Sequence, residues 1–231
     1  AYHCWHMGMG KTERFEQKHS FWGPQYSDER IREAIAKSGF KVRECKDEDQ
    51  TIAVTADYIA GGAVLGWYQG RSEWGPRALG NRSILANPAI SNMKATINEK
   101  IKKRESFRPF APSVLRDEVS RFFEQDIESP FMMHVVKFKP EFREIFPAVT
   151  HVDGTGRLQS VDPENNPTYF KLITALKERT GYGIVLNTSF NENEPVVDTP
   201  EQAIACFERT DMDVLVLGRH ILVKPDFEAA Q

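Results

Sequence analysis

Short apolar runs alternate with helix-period segments along this chain, and that alternation restricts the fold more than any other feature. The runs Ala63–Tyr68, Phe110–Leu115, Phe131–Phe138, Leu158–Val161, Gly183–Leu186, Asp213–Gly218 and His220–Val223 are four to eight residues long. Runs of that length, rich in Val, Ile and Leu and bounded by turn residues, read as strands. A further short strand is expected at about 40–45. The segments between them are punctuated at both ends. Ser27–Gly39 has a Ser cap, Asp28 and Glu29 in its first turn, Ile31, Ala34 and Ile35 on one face, and Gly39 as a stop. Helices are also expected at about 49–60, from Ser91 through the basic end Lys100–Arg104, at 117–124, at 140–146 and at 167–180. Thr199-Pro-Glu-Gln202 opens a last one, a capping box with proline at the first position. Pro112 lacks a backbone donor, so its strand is expected at an edge or an irregular position.

The pattern predicts an α/β (α+β) fold, a twisted mixed sheet flanked by helices. A length of 231 residues suits one large domain. Residues 1–26 have no clear period and read as a connector. Residues 27–224 read as the domain, and 225–231 as a polar tail. The chain opens on Ala1 and not on Met, which fits a piece excised or processed from something longer. The net charge of −3 supplies no global basic field for nucleic acid or an anionic membrane. No apolar run approaches the roughly 20 residues of a membrane helix. Cys4, Cys45 and Cys206 are odd in number and far apart, so they imply neither a disulfide framework nor a thiolate zinc site and fit a reducing cytoplasm. His3-Cys4-Trp5-His6 offers metal-capable side chains without the spacing of a site, and no metal site is assigned.

Against that balance, Gln69–Arg82 stands out. Three arginines, Arg71, Arg77 and Arg82, sit among Gly70, Gly75 and Gly80 at the end of an apolar strand. Glycine lets backbone approach a ligand closely, and each guanidinium is a planar fork of donors that matches phosphate or carboxylate. Lys102, Lys103, Arg104, Arg108 and Arg157 could join these at a triphosphate or at several separate phosphates. Ligands in open sheets gather beyond the carboxyl ends of strands, and the polar clusters 70–82, 150–157 and 187–191 are expected to converge there. Asn187, Ser189 and Asn191 are small polar groups suited to phosphate oxygens or a carbonyl. Ser189 as a nucleophile would need a base, and His151 is the one candidate in a polar loop. Asp153 could orient His151, help hold a cation such as Mg²⁺, or cap the turn at Gly154. Neither a P-loop nor a dinucleotide glycine fingerprint is present.

Taken together, Gly70-Arg71, Gly75–Leu85, Arg104–Pro112, Thr150–Arg157 and Leu186–Asn191 resemble the C-terminal domain of O-carbamoyltransferases, the family of nodulation-factor, cephalosporin and tobramycin carbamoylating enzymes. The resemblance covers about 22–224. It implies a YrdC-like fold with a positively charged cavity that binds carbamoyl phosphate and ATP and forms carbamoyl adenylate. It implies that transfer to an acceptor hydroxyl is done by a separate N-terminal, Kae1-like, metal-binding domain, of which 1–26 would be at most the edge. By motif position, Arg77, Lys102 or its neighbour Arg104, Arg157, Asn187 and Ser189 become ligand positions. Arg77, Lys102, Arg157 and Ser189 are the implied catalytic set. The family usually has glycine where Asn193 stands before Glu194-Pro195. Two other readings stay open, a tRNA-modifying YrdC-like enzyme making threonylcarbamoyl adenylate and a non-catalytic nucleotide-binding module. Oligomeric state is open too, a homodimer included.

Overall fold

The computed structural model describes residues 1–227, so 228–231 of the expected tail lie outside the described residues. Its strands are β1 Val42–Glu44, β2 Leu65–Tyr68, β3 Arg82–Ala86, β4 Ala111–Leu115, β5 His134–Lys137, β6 Thr155–Val161, β7 Ile184–Ser189, β8 Val214–Leu217 and β9 His220–Val223. They form one twisted sheet in the order β1-β9-β8-β2-β3-β7-β4-β6-β5. The pairs β2–β8 and β4–β6 are parallel and the rest antiparallel, so the expected mixed sheet is the one found.

Alternation along the strands builds two cores. Leu65, Trp67, Leu85, Leu115, Val161, Val185, Val214 and Val216 face one side. There they meet α2 (Glu48–Ala60) and α6 (Pro167–Thr180) through Ile52, Ala56, Ile59, Leu172, Ile173 and Leu176. Their sequence neighbours Ile84, Ala86, Val114, Leu186, Leu215 and Leu217 face the other side. There they meet α1 (Asp28–Ser38) and α7 (Pro200–Arg209) through Ile31, Ala34, Ile35, Ala203, Ile204 and Phe207. The caps are real bonds. The Ser27, Asp47 and Asn166 side chains accept from the backbones of Arg30, Gln50 and Tyr169, and the Thr199–Gln202 box is closed in both directions.

Three expectations are corrected. First, β3 starts at Arg82, the last residue of the expected loop, and runs to Ala86 where no strand was expected, because a buried arginine and serine hide the strand's alternation. Second, β4 is interior, between β7 and β6. Pro112 is tolerated because β6 joins β4 only from Ser113, leaving β7 alone beside the proline. Third, the helix from Ser91 is cut short. It runs as α3 (Met93–Thr96), continues as a π-helical turn Ile97–Ile101 and stops before Lys102. Lys100 keeps an exposed place in that last turn, while Lys102, Lys103 and Arg104 lie beyond the helix. Shorter helical turns are α4 (Val119–Phe122) and α5 (Pro140–Arg143).

The arginine-bearing loop is braced on two sides. Residues 20–24 of the expected connector dock on it through Gly23 N–Ser72 O, Ser72 N–Pro24 O and Trp74 N–Ser20 O bonds of 3.0, 3.0 and 2.6 Å. Behind it, Gly80 has φ +109° and a Cβ there would lie 2.3 Å from the Tyr169 ring, so only glycine lets the loop pass α6.

Candidate functional site

Beyond the carboxyl end of β7 the sheet opens into a cavity of about 320 Å³. It lies at the amino ends of β4 and β6, not at their carboxyl ends as the general rule for open sheets predicts. The loop before β3 contributes Arg77 and Ala78, and the loop before β4 contributes Arg104, Arg108 and Phe110. Arg157 projects from within β6, and Asn187 and Ser189 from within β7. These three side chains stand on strands, which are stiffer than the loops expected for them.

The cavity gathers cations without counter-ions. Four arginines line it and no carboxylate does. Among the described residues, only Arg108 of the four has an acidic group within ion-pair distance, Glu105 at 4.0 Å. The buried Nε atoms of Arg77 and Arg157 have no hydrogen-bond partner. Burial first, then the charges of Arg77 and Arg104, hold Arg157 below the usual arginine range. Burial and Arg108 do the same to Arg104, with Glu105 opposing. Guanidiniums remain charged in proteins, so this is a set of mutually repelling cations that an anion would relieve. At the apolar wall, Met132 is buried with φ +57°, a strained backbone for a bulky side chain.

Buried polar groups hold the arginines in place. One oxygen of Glu73 accepts the backbone N–H groups of Leu79, Asn81 and Arg82 at 2.8, 2.8 and 3.2 Å and so fixes the curve that carries Arg77. Asn98, fully buried in the π-helical turn, accepts Arg104 Nε at 2.7 Å and donates to the carbonyls of Ser106 and Arg108 at 3.1 and 2.8 Å. Gln159 and Ser113 lie beneath Asn187 and bond to it. Sequence reasoning missed all four. Ser113 and Gln159 are polar positions inside apolar strand runs, and Asn98 sits on the inner stripe between Ile97 and Ile101. That was the legible signal. Glu73 left none beyond being the single acid among the loop's arginines.

Several expected site residues lie elsewhere. Arg71 is exposed and donates to the Trp22 carbonyl at 3.1 Å. Arg82 is fully buried. It donates to the carbonyls of Gln69, Asn81, Gly70 and Asp198 and lies 3.6 Å over the Tyr68 ring, so it is a structural pin. Lys102 is buried behind the cavity. Its Nζ reaches Ser189 O, Asn191 O and Asn191 Oδ1 at 2.6, 2.7 and 2.7 Å and Ser189 Oγ at 3.3 Å, so it clamps the Ser189–Asn191 turn. Lys103 is paired with Glu192. Asn191 accepts from Lys102 and Ser189 and donates to the Glu194 carbonyl, which makes it part of that turn. Asn193 needs no left-handed backbone, because the Glu194 carboxylate gathers the N–H groups of Glu192 and Asn193.

His151 meets Thr155 Oγ1 at 3.0 Å and is no base for Ser189, whose hydroxyl bonds to Asn191 Oδ1 at 2.8 Å. Burial lowers the His151 pKa, with Asp153 opposing and Arg157 and Lys94 adding to the lowering. Asp153 caps its own turn by accepting from Thr155 N and Oγ1.

A model of the carbamoyltransferase C-terminus family matches residues 56–224. The chain belongs to that family. It is 48% identical over 211 residues to nodulation protein NolNO of Sinorhizobium fredii, covering 88% of this chain and 31% of that protein. It is 37% identical over 161 residues to a 3'-hydroxymethylcephem-O-carbamoyltransferase of Amycolatopsis lactamdurans, covering 69% of this chain and 30% of that enzyme. The chain thus spans about a third of the length of these curated relatives. Among solved structures, full-length HypF in its phosphate- and nucleotide-bound form is similar, with TM-score 0.51 and 20% identity over 80% of this chain and 23% of that one. This likeness shows the fold, and it agrees with the YrdC-like architecture expected of a carbamoyltransferase C-terminal domain. No helix among the described residues is long and apolar enough to cross a membrane.

Proposed function

We propose that this carbamoyltransferase C-terminal domain binds carbamoyl phosphate and ATP in the arginine-lined cavity and forms carbamoyl adenylate. Transfer to an acceptor hydroxyl is left to another part of the full-length protein. The observation that carries this reading is the set of Arg77, Arg104, Arg108 and Arg157 around one cavity with no acid on its wall.

The chemistry needs little more than placed positive charge. Water takes the phosphoryl group of carbamoyl phosphate, leaving inorganic phosphate and carbamate. A carbamate oxygen then attacks the α-phosphorus of ATP, and pyrophosphate leaves with the electron pair of the broken P–O bond. Negative charge builds on phosphoryl and leaving oxygens in both steps, and fixed guanidinium donors stabilise it without reorganising. No protein nucleophile enters. The Ser189 hydroxyl is tied to Asn191, and no histidine faces it. With no carboxylate on the wall, the residues do not fit a protein-held divalent cation, and a magnesium ion arriving with ATP would be held by its phosphates.

Incubating the domain with ATP and labelled carbamoyl phosphate tests the reading. Pyrophosphate and carbamoyl adenylate or its breakdown products are expected only when both substrates are present. Added hydroxylated acceptor should yield no carbamoylated product. Acceptor turnover by this chain alone contradicts the division of labour.

A further inference from the structure

Most of the cavity's polar side chains are donors. Asn187 differs. It is 1% exposed, and its Oδ1 has no hydrogen-bond partner although the residue lines the cavity. A chain of bonds beneath it dictates which end of the amide faces outward. The Leu79 carbonyl can only accept, and Gln159 Nε2 lies 2.8 Å from it, so Gln159 must turn Oε1 the other way. That Oε1 accepts from Ser113 Oγ at 2.6 Å and from Asn187 Nδ2 at 2.9 Å. Asn187 Nδ2 also reaches the Ala78 carbonyl and Ser113 Oγ, each at 3.1 Å. Turning Asn187 over would set its oxygen against the Ala78 carbonyl and Gln159 Oε1. The register makes the arrangement possible. Asn187 pairs with Ala111 and Ser113 with Gln159, so all these side chains share one face of the sheet.

From this geometry we infer that Gln159, braced by Ser113, is a positioning residue. It locks the Asn187 carbonyl toward the cavity so that the site selects a ligand carrying an N–H donor beside its anionic end. This rests on the carbamoyl phosphate reading above. The amide oxygen repels phosphoryl oxygens and the guanidiniums attract them, so the ligand's two ends are sorted. The phosphate goes to the arginines and the carbamoyl NH₂ to Asn187. Acetyl phosphate has nearly the same shape with a methyl in place of the amino group, and it would bury that oxygen unpaired.

An unpaired buried acceptor weakens binding by about tenfold to a hundredfold. Calorimetric titration with carbamoyl phosphate, acetyl phosphate and inorganic phosphate should show that preference for carbamoyl phosphate in the wild type. In Gln159→Leu the preference should shrink to about threefold or less while inorganic phosphate binds within about threefold of wild type, because the arginines are untouched. Ser113→Ala should fall between. Equal wild-type affinities for carbamoyl and acetyl phosphate would overturn this inference and leave the anion site standing. Failure of all three to bind would remove the anion site and the inference with it. A full preference surviving in folded Gln159→Leu would overturn the positioning role. If Gln159→Leu does not fold, the Asn187 side-chain amide signals of the wild type decide. Slow solvent exchange is expected of an NH₂ turned inward, and exchange as fast as that of a surface amide would overturn the assignment.

Discussion

Arg82 and Arg157 show that one residue type serves opposite purposes here. Arg82 has carbonyl oxygens for every arm of its guanidinium. Replacing it with methionine strands several buried acceptors. Arg82→Met should lower stability by about 3 kcal/mol, read by urea unfolding. A neutral result would mean that water already serves those carbonyls. Arg157 has a buried Nε without a partner and like charges beside it. Arg157→Met should raise the stability of the ligand-free domain by roughly 1 kcal/mol, about 2–4 °C in melting temperature, while weakening anion binding. A loss of stability would show that the cations are better compensated than their partners imply. In the sequence the two arginines look alike, since both follow glycine-bearing turns. Only the carbonyls around Arg82, and their absence around the Arg157 Nε, separate the pin from the cavity-lining residue.

The π-helical turn Ile97–Ile101 and the turn Ser189–Asn191 are joined through Lys102. Burial first, then the charge of Arg104, push the Lys102 ammonium down to about 7, with Cys206 and Glu194 opposing. An unfolded lysine titrates at roughly 10.4. Between the two values the unfolded chain binds a proton that the folded chain has released, so this group makes stability rise with pH over that window. Below it both states are protonated and the contribution is constant. Urea unfolding at several pH values from 7 to 10 should show the wild type gaining on Lys102→Met. A difference independent of pH would contradict the shift. At this scale the sequence was legible where local signals agree. The caps of α1 and α7 follow from local signals, and the 3.6-residue period gives the inward stripe Ile52, Ala56 and Ile59 of α2. On α6 it gives Ile173 and Leu176, but Phe170, expected inward with them, is only partly buried, and Tyr169 and Leu172 fill the core instead. The helix after Ser91 was over-extended because Lys100–Arg104 suits a helix C-terminus, whereas the burial of Lys102 and the bonds of Asn98 end it early. Strand β3 was hidden because the burial of Arg82 is a tertiary fact.

The molecule as a whole carries a net charge of −3, yet its cavity wall is cationic. Outside the cavity, acidic and basic side chains pair across the surface, as in Arg116–Asp126, Lys171–Glu48 and Arg179–Asp57. Ligand capture should weaken with salt as the screening length falls to about 10 Å at 0.1 M. The mixed sheet and the convergence of distant motifs were legible because each motif ends or begins an apolar run. The end of the sheet at which they meet was not, since strand order decides it and the order interleaves early and late strands. The most direct measurement is calorimetric titration of carbamoyl phosphate, and separately ATP, into the wild type, Arg77→Ala, Arg77→Lys and Arg157→Ala. Each alanine variant should bind about 10- to 150-fold more weakly, equivalent to about 1.5–3 kcal/mol, with Arg77→Lys recovering part of the loss. Unchanged affinity in both alanine variants would contradict the assignment of this cavity as the phosphate-binding site.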